Sequence, residues 1–186
     1  MGVLKLGVVS LDGTKIKANA SKHTAMSYGH AKQLEARIHA EIAELKRRAE
    51  AAEGLPDDLS LPEELGRREV RLAKIREVKA QIEARARERD AQAQAEYDEK
   101  VKRRQEQRDQ GKRPGGREPQ PPTTGAQDSD QLNLTDPESR ILPAGSDFVQ
   151  GYNAQAAVDA ESMLIVAHDA VQAANDKRQV EPMLEP

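Results

Sequence analysis

The chain has 186 residues, with 29 Lys and Arg against 32 Asp and Glu, so its net charge of −3 predicts no global attraction to nucleic acid. It has no cysteine, which excludes a disulfide framework and a thiolate metal site and fits a reducing cytoplasm. No stretch approaches the ~18 apolar residues of a membrane span, and the N-terminus lacks a signal-peptide pattern.

The apolar run from Val3 to Leu11 reads as a strand with apolar residues on both faces, the mark of an interior position. It brings one carboxylate, Asp12, to its end or to the turn after it, because Asp12-Gly13 between β-formers is a turn signal. Thr14 to Ala18 continues as a second short strand or as an extension of the first. Lys15 and Lys17 share a parity and, with Lys22, make a basic cluster beside Asp12, suited either to phosphate contact or to a solvated edge. His23, His30 and His39 do not fall on one tight helical face with a carboxylate, so they read as surface residues rather than metal ligands.

From Ser27, a potential cap, the pattern is helical. Leu34, Ile38, Ile42 and Leu45 form one apolar stripe on a charged rod, which should end near Glu53, ahead of Gly54 and Pro56. A second helix begins near Pro62. Leu65, Leu72, Ile75 and Ile82 give it a narrow seam, with Val70 and Val78 beside it. Two such helices joined by a short loop predict an antiparallel hairpin, a possible surface for self-association. Beyond Ile82 the stripe thins to alanines and Tyr97, and the rod should continue to about Arg108. Its end is basic: Lys100, Lys102, Arg103, Arg104, Arg108, Lys112 and Arg113 stand against Glu106 and Asp109, a pattern of phosphate-binding helices and of solvated ones alike.

Gly111 to Gln131 is a Pro- and Gly-rich linker whose composition cannot bury enough surface to order itself. After it, Thr135 or Asp136 can cap a single turn opened by Pro137. Phe148 to Val158 alternates as a strand, with Phe148, Gln150, Tyr152, Ala154, Ala156 and Val158 on one face. Asp159 to Ser162 turns, and the nearly continuous apolar run Met163 to Val171 reads as a central strand. This hairpin should pair with the strand ending in Asp12. Asn175 or Asp176 is a cap for the last segment, in which a short helix starts at Val180.

Four ordered blocks carry a resemblance: Asp12-Gly13-Thr14-Lys15-Ile16-Lys17-Ala18-Asn19-Ala20-Ser21-Lys22-His23 with Ala25-Met26-Ser27-Tyr28; Leu134-Thr135-Asp136-Pro137-Glu138-Ser139-Arg140; Gly151 to Asp159; and Gln172-Ala173-Ala174-Asn175-Asp176-Lys177. Over residues 6–30 and 132–186 the chain resembles bacterial insertion-sequence transposases of the DDE type. The resemblance implies an α/β fold: an incomplete ribonuclease H-like core, about three strands and the start of a helix, interrupted by the helical hairpin and a disordered linker. The division is then 1–26 and 132–186 for the core, 27–110 for the helical insertion and 111–131 for the linker.

In that family three acidic residues hold two Mg²⁺ ions that cleave and transfer DNA strands at terminal inverted repeats. Only the first carboxylate maps here, to Asp12, as catalytic residue and metal ligand. The family's second aspartate and its glutamate come after the helix that begins near Val180. The expectation is therefore a transposase fragment, truncated at both ends and without catalysis of its own, that touches DNA through Lys15, Lys17, Lys22, Lys100, Lys102, Arg103, Arg104 and Arg108. Of the carboxylates that could substitute, Asp159 reads as a turn residue, Asp176 as a helix cap, and Asp169 as a strand-end group that would near Asp12 if register allowed. The alternative is a non-catalytic coiled-coil or DNA-binding protein that competes with an intact transposase.

Overall fold

The structure, a computed structural model, describes residues 7–51, 60–177 and 179–184. It is mixed α/β, with two compact units: residues 26–131, built on helices, and residues 1–25 with 132–186, built on an antiparallel sheet. Among the described residues no helix is long and apolar enough to cross a membrane.

In the helical unit, α1 (Tyr28–Ala51) packs on α2 (Ser60–Asp109). The stripe read from spacing is the one that is buried: Ala31, Leu34, Ile38 and Ile42 of α1 meet Leu72 and Ile75 of α2, with Met26 and Leu65 packed against them. Val78, Ile82 and Ala86 extend the buried seam, whereas Val70 stays 59% exposed. Polar pairs run in opposite chain order along the two helices, Tyr28 to Glu83, Glu35 to Arg76 and Lys79, and Glu41 to Arg68. The Tyr28 ring has Lys32 and Lys79 ammonium groups 5.3 and 5.9 Å from its centroid. The expected helix end at Glu53 and the turn residues Gly54 and Pro56 lie outside the described residues.

After α2, Gly111 takes the left-handed conformation (φ 71) and the last turn closes with Lys112 N–H donating to the Gln107 carbonyl, the pairing of a Schellman cap. The returning segment, from Lys112 to Asp130, has no helix or strand, as its composition requires. It is nevertheless tied back along α2. Arg104 donates to the carbonyls of Gly115, Gly116 and Arg117, Arg108 pairs with Glu118 at 2.6 Å, and Arg89 bonds the Gly125 carbonyl and, at 2.8 Å, Asp130. A linker that cannot build a core is held here by arginines from its neighbour.

The main sheet has β5 (Asp147–Asp159) at its centre. β1 (Val9–Lys17) pairs along one side, while β4 (Arg140–Ala144) and then β6 (Ile165–Val171) pair along the other, all antiparallel. Two short strands, β2 (Ala25–Ser27) and β3 (Gln131–Asn133), form a separate two-stranded sheet, and α3 (Val180–Leu184) ends the described chain.

Several expectations change. Asp12-Gly13 is not a turn: β1 runs straight through it, in unbroken register with β5 from Val9↔Asp159 to Lys17↔Gly151. β1 is not an interior strand but pairs with β5 alone among the described residues; Val3 to Leu6 lie outside them. The apolar run Met163 to Val171 is not central either. β6 pairs with β5 alone among the described residues, and Met163, Leu164 and Ile165 are 74%, 55% and 63% exposed. β4 lies where the sequence pattern gives only a single turn; its Pro143 is at a sheet edge, where the missing N–H is tolerated.

Candidate functional site

Strand alternation divides β1 into two rows. Ser10, Asp12, Thr14 and Ile16 share the exposed face; Val9, Leu11, Gly13 and Lys15 share the half-buried one. The Asp12 carboxylate is exposed and accepts a hydrogen bond from the Gly13 N–H at 2.9 Å. Ala156 of β5 lies opposite Asp12, and His168 of β6 lies opposite Ala156, so an aspartate and a histidine flank a small-residue floor on one face. Nothing in the sequence pattern signalled His168; the register alone aligns it.

The other face holds a buried polar cluster. Asn153 and Gln155 of β5 are 0% and 2% exposed, and their amide N–H groups both donate to Asp176 Oδ1, Asn153 at 2.7 Å. Lys15 Nζ lies 4.0 Å from the same oxygen. These contacts, Asn153 first, then Gln155 and more weakly Lys15, hold the Asp176 carboxyl below the usual carboxylate range against the opposing effect of burial. Gly13 is what makes room: a Cβ there would collide with Asp176 Oδ1 and Gln155 Nε2. Sequence reading assigned Asp176 to capping the last helix. Its backbone carbonyl does accept from Gln179 N–H, but the side chain serves the sheet.

The expected basic cluster is not beside Asp12. Without a turn at Gly13 the parity carries on, so Lys15 and Lys17 belong to the opposite face, and Lys15 is occupied with Asp176. Lys22, in the short 3₁₀ turn Lys22–Thr24, pairs with Asp147 at 3.3 Å. None of the candidate substitutes joins Asp12 either. Asp169 is opposite Gln155, hence on the far face. Asp159, the last residue of β5 and 2% exposed, closes the turn expected of it, accepting from Ser162 N–H and Oγ–H at the end of the hairpin.

One carboxylate cannot fix the octahedral shells of two divalent ions, and no group of three metal-ligating side chains occurs among the described residues. The described residues do not fit a two-ion site.

The basic stretch of α2 also divides. Arg104 and Arg108 hold the returning linker, and Lys100 pairs with Glu96 at 3.3 Å. Lys102 and Arg103 are exposed, with no ion pair among the described residues. A buried organiser that sequence reading missed is Asn133, 2% exposed, whose side chain accepts from Thr135 and Asp136 N–H and donates to the Ser21 carbonyl at 2.7 Å.

No protein-family model, curated protein or solved structure matches this chain.

Proposed function

We propose that this chain is part of a DDE-type insertion-sequence transposase, with a ribonuclease H-like core interrupted by a helical hairpin and with Asp12 as the first of the three acidic residues of strand transfer. The observation that carries the reading is Asp12 itself. It sits mid-strand on an open sheet face, exposed and in no ion pair among the described residues, so its carboxylate is accessible to a ligand. The ordered blocks of sequence similarity add the family. DNA is the substrate and Mg²⁺ the cofactor of that reading. Because one of three carboxylates is present, the 186 residues should not cleave DNA by themselves.

The test is to read the DNA on both sides of the coding segment in every frame. Codons for a strand-borne aspartate and a helix-borne glutamate downstream, within a pair of inverted repeats, are the expected result. Unrelated sequence on both sides overturns the proposal. Metal-dependent nicking by this chain, lost in Asp12→Ala, would instead overturn the expected inactivity.

A second reading has its own support. The helical unit builds a buried core without the sheet, from Ala31 to Ile75, which suits a stand-alone interaction module. It predicts self-association that survives removal of residues 132–186.

A further inference from the structure

Wound at 3.6 residues per turn, α2 gathers some of its charges beyond Ala86 into two opposed arcs. Arg89, Lys100, Arg104 and Arg108 fall within an arc of about 100°, while Asp98, Glu99, Glu106 and Asp109 fall in an arc of similar width on the opposite side, together with Lys102; Arg87 and Arg103 lie between the two arcs. Tyr97 lies within the basic arc and is half-buried. Asp90 also lies there, accepting from Gly125 N–H at 2.5 Å, and Glu96 sits at the margin with Lys100. The returning segment lies along this basic side as far as Gly125; beyond it Asp128 and Asp130 hold the start of α1, accepting from Gly29 and Tyr28 N–H and, through Asp128, pairing with Lys32 at 2.6 Å. Its contacts are those an anion would make: three backbone carbonyls around the Arg104 guanidinium, the Glu118 carboxylate on Arg108, and the Gly125 carbonyl and Asp130 carboxylate on Arg89.

From these placements we propose that residues 112–125 are a displaceable strap over a phosphate-binding stripe, occupying Arg104 and Arg108 until the sugar-phosphate backbone of DNA takes them. The inference rests on DNA being the partner, and it deepens that reading by making the binding surface self-masked. The strap is suited to exchange. None of residues 87–131 is fully buried, so no apolar core resists its departure. Guanidinium groups pair with phosphate at least as well as with carbonyl oxygens. Asp128 and Asp130 keep their bonds to Tyr28, Gly29 and Lys32, and the buried seam of Ala31 to Ile82 takes no part in the exchange, which lets the arm open while the unit stays folded.

The chain has no cysteine, so cysteines at exposed Gln105 and Gln120 can carry a unique pair of spin labels, one on α2 and one on the strap. The probe is a fluorescein-labelled DNA duplex of about 20 base pairs at low salt, where backbone contacts are strongest. Saturating duplex should lengthen the label-to-label distance. Glu118→Gln should tighten binding about 3- to 10-fold, and Glu106→Gln, the same charge change on the opposite side, less than about 2-fold, since only the first loosens the strap. An unchanged distance at saturation, equal gains from the two variants, or no salt-dependent binding by any of these proteins overturns the proposal. Should Glu118→Gln misfold, the labelled pair decides alone. The Asp12 reading uses no residue of this arm and keeps its own test.

Discussion

The two units are held by different chemistry. In the helical unit the buried residues are aliphatic, Ile38 and Ile82 at 1% and 2% exposed, and the polar pairs lie around them, with Glu35 kept below the usual carboxylate range by Lys79 and Arg76. In the sheet unit the fully buried side chains are mostly amides and carboxylates: Asn133, Gln150, Asn153, Gln155 and Asp159, with Leu142, Leu132 and Ala157 among few apolar partners. An aliphatic seam tolerates small displacements because its attraction is non-directional. A buried amide needs its partner at a fixed distance and angle, and each lost partner leaves a desolvated group behind. Damage should therefore be graded by volume in one unit and by hydrogen bonding in the other.

The largest effect expected is in the seam. Ile38→Ala removes a side chain 1% exposed at the centre of the α1–α2 contact and should cost about 2–5 kcal/mol, read by thermal or urea unfolding of helical circular dichroism. In the sheet, Gly151→Ala comes next. A Cβ at Gly151 would strike the backbone carbonyl of Ile16, which cannot rotate away as a side chain can, so the β1–β5 register must shift at its Lys17 end. A loss of about 1–3 kcal/mol is expected. Gly13→Ala should cost less, since the atoms it meets are side-chain ends; amide exchange of β1 residues distinguishes the two.

Asp176 gives the comparison a pH axis. Its carboxyl is held below the ordinary value in the folded chain, so the contribution is present above the unfolded carboxylate range and fades as pH falls through that range toward the folded value. Asp176→Asn should flatten the acid limb of the stability profile while lowering stability near neutral pH. Retention of the full acid limb in the variant would show that other carboxylates carry it.

How far the fold could be read beforehand tracks the same divide. A 3.6-residue stripe is a statement about one segment, and Leu34, Ile38, Ile42 and Leu45 made it plainly; all four are buried. The sheet depends on partners distant in sequence. Asp12-Gly13 looked like a turn because Gly permits positive φ, whereas here Gly supplies the absence of a Cβ under Asp176, a residue more than 160 positions away. The Met163 to Val171 run looked central because it is apolar, yet β5, with its alternating amides and alanines, took the centre. For the candidate site, Asp12 was legible as a lone carboxylate ahead of the helices. That Lys15 and Lys17 face away from it was legible only once the turn was discarded.

The smallest effect is the most useful for function. Asp12 and Gly13 are neighbours with opposite duties: Gly13 accommodates the Asp176 cluster on the half-buried face, and Asp12 stands on the exposed one with, among the described residues, only a local bond to Gly13 N–H. Asp12→Ala should therefore change unfolding stability by no more than about 0.5 kcal/mol. A substitution so neutral for folding makes a clean probe, because any loss of metal affinity or of strand transfer it causes in a longer protein is then a loss of chemistry. A destabilisation as large as that of Gly151→Ala would instead give Asp12 a structural role and remove the main reason for reading it as a ligand.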